Sequence, residues 1–202
     1  MRGKLVIPLL AMLGLAGPAM AGQLSYNLVE IGLIGDSIDD PHGPDDLSGS
    51  GVSLSGSLAF NPNLFGFASI SGTDYEYVHY NDDFNASQQQ AGLGLHFPLT
   101  PQLDLVSGVS LQHLRLDNDY DSLDESGYGL DVGLRGLIGR RLEWTAAVNY
   151  VDYGGGDNDT FWTAGFRYYF TRVFALGMDV GSTNRNEANA VLAFRWDFNN
   201  RR

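Results

Sequence analysis

The sequence predicts an all-β chain closed into an antiparallel, up-and-down transmembrane β-barrel of ten strands, with eight as the smaller alternative. Three observations predict it. Hydrophobicity alternates with period two along most of residues 22–202, the mark of strands with unlike faces. The segments are joined alternately by tight turns and by long polar loops, as a meander requires. The polar face is made of glycine, serine and a few charges of both signs (Ser53, Ser55, Ser57, Gly92, Gly94, Gly108, Ser110), which suits a crowded interior better than a water-facing surface.

Residues 1–21 stand apart from this pattern. Arg2 and Lys4 precede an apolar stretch from Leu5 to about Gly17, followed by Ala19-Met20-Ala21. A positive start, a short apolar run and a small-residue cleavage motif predict a signal peptide cleaved after Ala21. The run is too short and too rich in glycine and proline for a good spanning helix. Lys4 is the sole lysine, so residues 22–202, read as a single barrel domain, contain none.

Ten strand segments follow, at 24–34, 50–60, 64–78, 88–97, 102–116, 126–137, 142–153, 161–170, 173–181 and 189–198. In the first, Glu30 shares parity with Tyr26 and Leu28, so either a bulge intervenes or those apolar residues face the polar side. Eight strands are the fallback if this segment or a late pair is misread. The later segments alternate cleanly. Tyr128, Leu130, Val132 and Leu134 interleave with Gly129, Asp131, Gly133 and Arg135. Leu142, Trp144, Ala146, Val148 and Tyr150 interleave with Glu143, Thr145, Ala147 and Asn149. Trp162, Ala164, Phe166, Tyr168 and Phe170 do the same with Thr163, Gly165, Arg167 and Tyr169, and Leu192, Phe194 and Trp196 with Ala193, Arg195 and Asp197. Tight turns are predicted at 61–63, 98–101, 138–141 and 171–172, and long loops at 35–49, 79–87, 117–125, 154–159 and 182–188. An even strand count puts both ends of the domain on the tight-turn side.

Alternation alone does not say which face meets solvent, since a soluble barrel turns its apolar face inward. The small polar face and the missing lysines favour lipid outside. So do the segment lengths, most of which reach the 9–11 residues a tilted strand needs to cross hydrocarbon. Aromatic residues gather at both ends: Phe60, Phe65, Phe97, Trp144, Phe170, Phe174, Trp196 and Phe198 toward the tight turns, and Tyr75, Tyr77, Tyr80, Tyr128, Tyr150, Tyr153, Phe161 and Trp162 toward the loops. Such belts place amphipathic rings at headgroup depth. In lipid an open sheet edge would leave backbone groups unpaired, so the sheet must close.

The leader, the alternating segments and the terminal Ala190–Phe198 strand resemble the small outer-membrane β-barrels of Gram-negative bacteria, the broad OmpA/OmpX-like superfamily. Leu24-Ser25-Tyr26-Asn27-Leu28-Val29-Glu30 and Gly56-Ser57-Leu58-Ala59-Phe60-Asn61-Pro62-Asn63-Leu64 are similar to xanthomonad-type small surface barrels. The resemblance implies export to the outer membrane, with lipid and lipopolysaccharide as surroundings. It also implies that Phe198 is the terminal aromatic read by the barrel-insertion machinery, although Asn199-Asn200-Arg201-Arg202 extend past it. It implies little about activity. The chain is expected to be a monomer.

Composition removes several function classes. A net charge of −12 argues against nucleic acid as a partner. The absence of cysteine excludes disulfides, a cysteine nucleophile and thiolate-bound metals. Acids fall in or beside the long loops (Asp36, Asp39, Asp40, Asp45, Asp46, Asp74, Glu76, Asp82, Asp83, Asp117, Asp119, Asp121, Asp124, Glu125, Asp152, Asp157, Asp159, Glu187), whereas Arg140, Arg141, Arg172, Arg201 and Arg202 lie at the other end. An acidic rim attracts cations over about a Debye length, about 8 Å at physiological salt. Asp117, Asp119 and Asp121 match the first acids of an EF-hand, but Ser122 stands where glycine is needed and Tyr128 where the bidentate glutamate is needed. Gly154 to Asp159 resembles one calcium β-roll repeat without tandem copies. Weak divalent-cation binding at the loops is the sharpest ligand expectation, with solvated loops as the plainer one.

On the polar face, Asp131, Arg135, Glu143, Arg167, Asp179, Arg195 and Asp197 are expected to pair and fill the interior, because an unpaired charge there is costly. A narrow, cation-preferring pore is the alternative. No G-x-S-x-G, H-E-x-x-H or P-loop occurs, and His42, His79, His96 and His113 form no sequence motif. The expectation is therefore a structural or surface-interaction barrel, then a channel, and last a barrel hydrolase. No catalytic residue, cofactor or metal site is assigned.

Overall fold

The computed structural model describes residues 24–38, 47–77, 83–118, 122–154, 158–183 and 187–198. The leader, His42, His79 and the charged chain end from Asn199 lie outside the described residues. Ten strands run in order: β1 Leu28–Ile38, β2 Leu47–Ala59, β3 Leu64–Tyr77, β4 Asp83–Thr100, β5 Leu103–Asn118, β6 Ser122–Ile138, β7 Leu142–Asp152, β8 Asn158–Tyr169, β9 Phe174–Thr183 and β10 Glu187–Asp197. Each pairs antiparallel with its neighbours in sequence, and β1 pairs with β10 from Leu28↔Asp197 to Ile38↔Glu187, closing the barrel. Closure removes every sheet edge, the condition for placing a sheet in hydrocarbon.

The short connections 60–63, 101–102, 139–141 and 170–173 share one end with the start of β1 and the end of β10. Side chains replace missing ladder partners there. The Asn61 Oδ1 accepts the N–H groups of Asn63 and Leu64, both at 2.9 Å, and the Thr171 Oγ1 accepts those of Val173 and Phe174. Gly139 turns the β6–β7 corner at φ 66°, in the left-handed region that glycine enters freely.

The outer wall is apolar. Leu130, Val148 and Phe166 are exposed on it, while Arg135 and Arg167 are buried inside, so hydrocarbon side chains look out and charges look in. Several boundaries differ from expectation for one reason: the β-ladder outlasts the apolar alternation. β4, β5 and β6 reach 18, 16 and 17 residues, so much of the predicted loops 35–49, 79–87 and 117–125 is strand. Apolar patterning marks where lipid ends, not where hydrogen bonding ends. At the other end β4 continues to Thr100 through a register shift between Pro98 and Thr100, which shortens the predicted 98–101 turn. Residues 24–27 precede β1 rather than belonging to it.

The aromatic belts also need correction. Phe60, Phe97, Phe170, Trp196, Tyr128 and Trp162 are exposed outward, but Phe65, Tyr75 and Phe161 are buried inside the barrel, and Tyr153 packs with Val151 and Phe161. Of the two readings of the first segment, the second holds: Tyr26 and Leu28 face the interior, where they cluster with Phe65, Phe67, Val106 and Leu137. Gly94 makes room for this cluster, since a Cβ there would fall within the Phe65 ring.

Candidate functional site

Every polar-face charge singled out in the sequence is buried in the lumen: Asp131, Arg135, Glu143, Arg167, Asp179, Arg195 and Asp197. Most are joined. Arg135 donates Nε and Nη2 to the two oxygens of Glu143, both at 2.9 Å. These side chains stand on neighbouring strands, two residues out of direct register. Arg195 donates Nη1 to Glu143 at 2.6 Å and Nη2 to Glu30 at 3.1 Å. Arg167 donates Nε to Glu30 at 2.7 Å and forks onto Asp179. The Tyr169 hydroxyl adds a bond to Glu143 at 3.1 Å.

Ring order gives these contacts their meaning. Arg167 on β8 reaches Glu30 on β1, and Arg195 on β10 reaches Glu143 on β7, each passing over two intervening strands. They are chords across the lumen, not wall contacts. Tyr26 supplies a longer one. From just before β1 its hydroxyl donates to Asp104 of β5 at 2.6 Å, and its ring lies under the Arg135 guanidinium of β6, 4.4 Å from centroid. The start of β1 and β6 stand on opposite sides of the ring. His96 stacks on Tyr26 with centroids 4.5 Å apart and shares Asp104 through Nδ1 at 3.0 Å. Replacing Tyr26 with phenylalanine should cost about 1–3 kcal/mol, since a buried acceptor loses a donor while ring packing survives. The urea midpoint of the folded barrel in detergent measures it.

Sequence reading missed Glu30 and Tyr26 as members of this assembly, although the parity of Glu30 was the signal. Above the ion pairs the lumen is lined by amides. The Gln90 and Gln112 carboxamides both donate to the Ser110 Oγ, and Gln88 donates to Gln112 and to the Tyr153 hydroxyl. Burial pushes the Tyr153 phenol up to about 12, so it stays protonated.

At the loop end, Asp36, Asp117 and Asp124 stand on strand extensions rather than in the predicted loops, and Asp74, Glu76 and Asp152 stand near strand ends, as expected. Several are engaged within the chain. Asp117 holds Arg115 at 2.7 Å, Asp36 accepts from Tyr75, and Asp152 accepts from Tyr128, Tyr150 and the Gly154 N–H. Asp119, Asp121 and Asp157 lie outside the described residues. Arg140, Arg141 and Arg172 are exposed at the tight-turn end.

Among the described residues, His113 lies beside a serine hydroxyl and a carboxylate. On the outer wall His113 Nδ1 lies 3.1 Å from Ser126 Oγ and 3.6 Å from Asp124. Both partners meet the same ring nitrogen, whereas a relay needs the hydroxyl on one nitrogen and the carboxylate on the other. His96 has its carboxylate but is buried in the lumen at the tight-turn end.

A family model described as the outer membrane protein beta-barrel domain matches residues 7–189. No curated protein sequence matches the chain. Among solved structures, the translocator domain of the autotransporter NalP from Neisseria meningitidis is similar at 11% identity, covering 85% of this chain and 88% of that one, with a TM-score of 0.50. Neisserial surface protein A is similar at 15% identity, covering 85% and 96%, with a TM-score of 0.45. The N-terminal β-barrel domain of Pseudomonas aeruginosa OprF is similar at 16% identity, covering 84% and 98%, with a TM-score of 0.40. Together with the closed ten-stranded barrel, the match over most of the sequence places this chain in the outer membrane protein beta-barrel domain family.

Proposed function

We propose that the protein is a non-conducting outer-membrane barrel with a structural and surface-interaction role, displaying its acidic end to the outside. The observation that carries this reading is the crossed lumen. Arg135, Glu143, Arg195 and Glu30 are almost wholly inaccessible to water, and the bonds from Arg195 to Glu143 and from Arg167 to Glu30 run between strands that are not neighbours. Barrels of about eight strands have interiors just wide enough for side chains to fill, and diameter grows roughly linearly with strand number, so ten strands enclose a lumen that long arginine side chains can still span. An ion passing this level would have to break several buried ion pairs at once, at several kcal/mol each. The lumen charges therefore serve to hold the barrel's shape, and we assign them no catalytic role.

With arginines at the tight-turn rim and carboxylates at the opposite rim, the outward end would collect divalent cations and share them with lipopolysaccharide phosphates. That is the exchange an acidic surface needs in an anionic leaflet. Planar-bilayer recording tests the central statement. The purified barrel is expected to give no steady single-channel current in molar potassium chloride, and a stable cation-selective conductance would establish the pore reading instead.

A further inference from the structure

Asp131 differs from the other lumen charges. The three lumen arginines are committed elsewhere: Arg135 to Glu143, Arg167 to Glu30 and Asp179, Arg195 to Glu143 and Glu30. Asp131 on β6 is 4% exposed, and its Oδ2 is buried with no hydrogen-bond partner. Its direct register partner on β7 is Asn149, which is 2% exposed. Asn149 spends its amide on the Thr163 Oγ1 at 3.4 Å and leaves its own Oδ1 without a donor. Two orphan acceptor oxygens thus belong to side chains that face each other across one strand pair. A cavity of about 10 Å³ is lined by both, with Gln90, Ser110 and Gln112 on one side and Tyr150, Val151 and Phe161 on the other. That is close to the smallest space able to hold one water-sized particle. On the far side Asp131 lies against Gly108, where a Cβ would come within 2.6 Å of its carboxylate.

We propose that this cavity binds a single monovalent cation of sodium size, held by the Asp131 carboxylate and the Asn149 amide oxygen. Hard oxygen donors suit a hard cation. One carboxylate balances one positive charge, whereas a divalent ion would leave a net charge in a dry interior, which is costly. The site lies apart from the arginine network, so it stands whether or not the lumen conducts.

The test is urea unfolding of the folded barrel in detergent, at constant ionic strength, in sodium, potassium or N-methylglucamine chloride. An ion that binds only the folded state raises the folding constant about a hundredfold at a hundred times its Kd. The expected result is a midpoint that rises with sodium and levels off, with no sodium-specific rise in Asp131→Asn. Equal midpoints in sodium and N-methylglucamine for the unaltered barrel would overturn the proposal and leave a water in the cavity. Should Asp131→Asn not fold, Asn149→Leu, which removes one ligand and fills the space, serves instead. A sodium response that persists in Asn149→Leu also overturns the site.

Discussion

Glu143→Ala should destabilise the barrel by about 3–5 kcal/mol, the cost of leaving buried charge without its partner. Glu143 is fully inaccessible to water and accepts from Arg135 twice, from Arg195 and from Tyr169. Deleting it removes the carboxylate onto which Arg135 forks beside the Tyr26 ring and halves the carboxylate support of Arg195. Coulomb attraction gained from such a cluster is largely offset by desolvation, so the effect measures the penalty of breaking it rather than the worth of having it. Glu143→Gln keeps the shape and one acceptor oxygen and should fall between. Glu76→Ala, at an exposed strand extension, should stay within about 0.5 kcal/mol, as surface substitutions do. Urea midpoints read by the heat-modifiable shift in gel mobility compare the three. A Glu143→Ala midpoint equal to that of Glu76→Ala would mean that the chords do not hold the barrel.

How much of this was legible beforehand depended on whether one rule applied to a segment. Where bulky and small residues strictly alternate, as from Tyr128 to Arg135 or Trp162 to Phe170, parity alone assigned each side chain correctly. The same parity already placed Phe161 inside, since it is odd where Trp162 and Phe166 are even; nearness to a strand end was the weaker guide. On β3 the size rule inverts. Phe65 and Phe67 turn inward while Gly66 and Ala68 face out, because next to β3 the tight-turn end of the lumen is filled by an apolar cluster, which abuts the ion pairs through Tyr26. Nothing local in Leu64-Phe65-Gly66-Phe67-Ala68 distinguishes the two faces; the decision is made by Tyr26, Val106 and Leu137, which are distant in sequence. The chords were invisible for a related reason. Opposite charges on the polar face announced pairing, but which arginine meets which carboxylate depends on ring position, and Glu30 with Arg167 lies 137 residues apart.

The outward face gives the second large effect. Val132→Arg is expected to cost about 2–4 kcal/mol, the penalty for a cation on the lipid face near the bilayer midplane. Val132 is 56% exposed and sits in register between Ser107 and Val148 on the outer wall. The aromatic belt at Tyr128 is four residues along β6, about 13 Å at strand rise, and the opposite rim near Ile138 is farther. An arginine side chain cannot snorkel that distance to the headgroups, so the charge must either stay in hydrocarbon or thin the bilayer around it. Ser126→Arg, two residues beyond Tyr128 on the same face, reaches water directly and should cost less than about 1 kcal/mol. The contrast between the pair carries the orientation of the whole barrel. Were this wall to face water, both arginines would be near neutral, within about 0.5 kcal/mol. Folding into vesicles followed by urea titration separates the two outcomes, because only a lipid-facing wall makes the cost depend on depth.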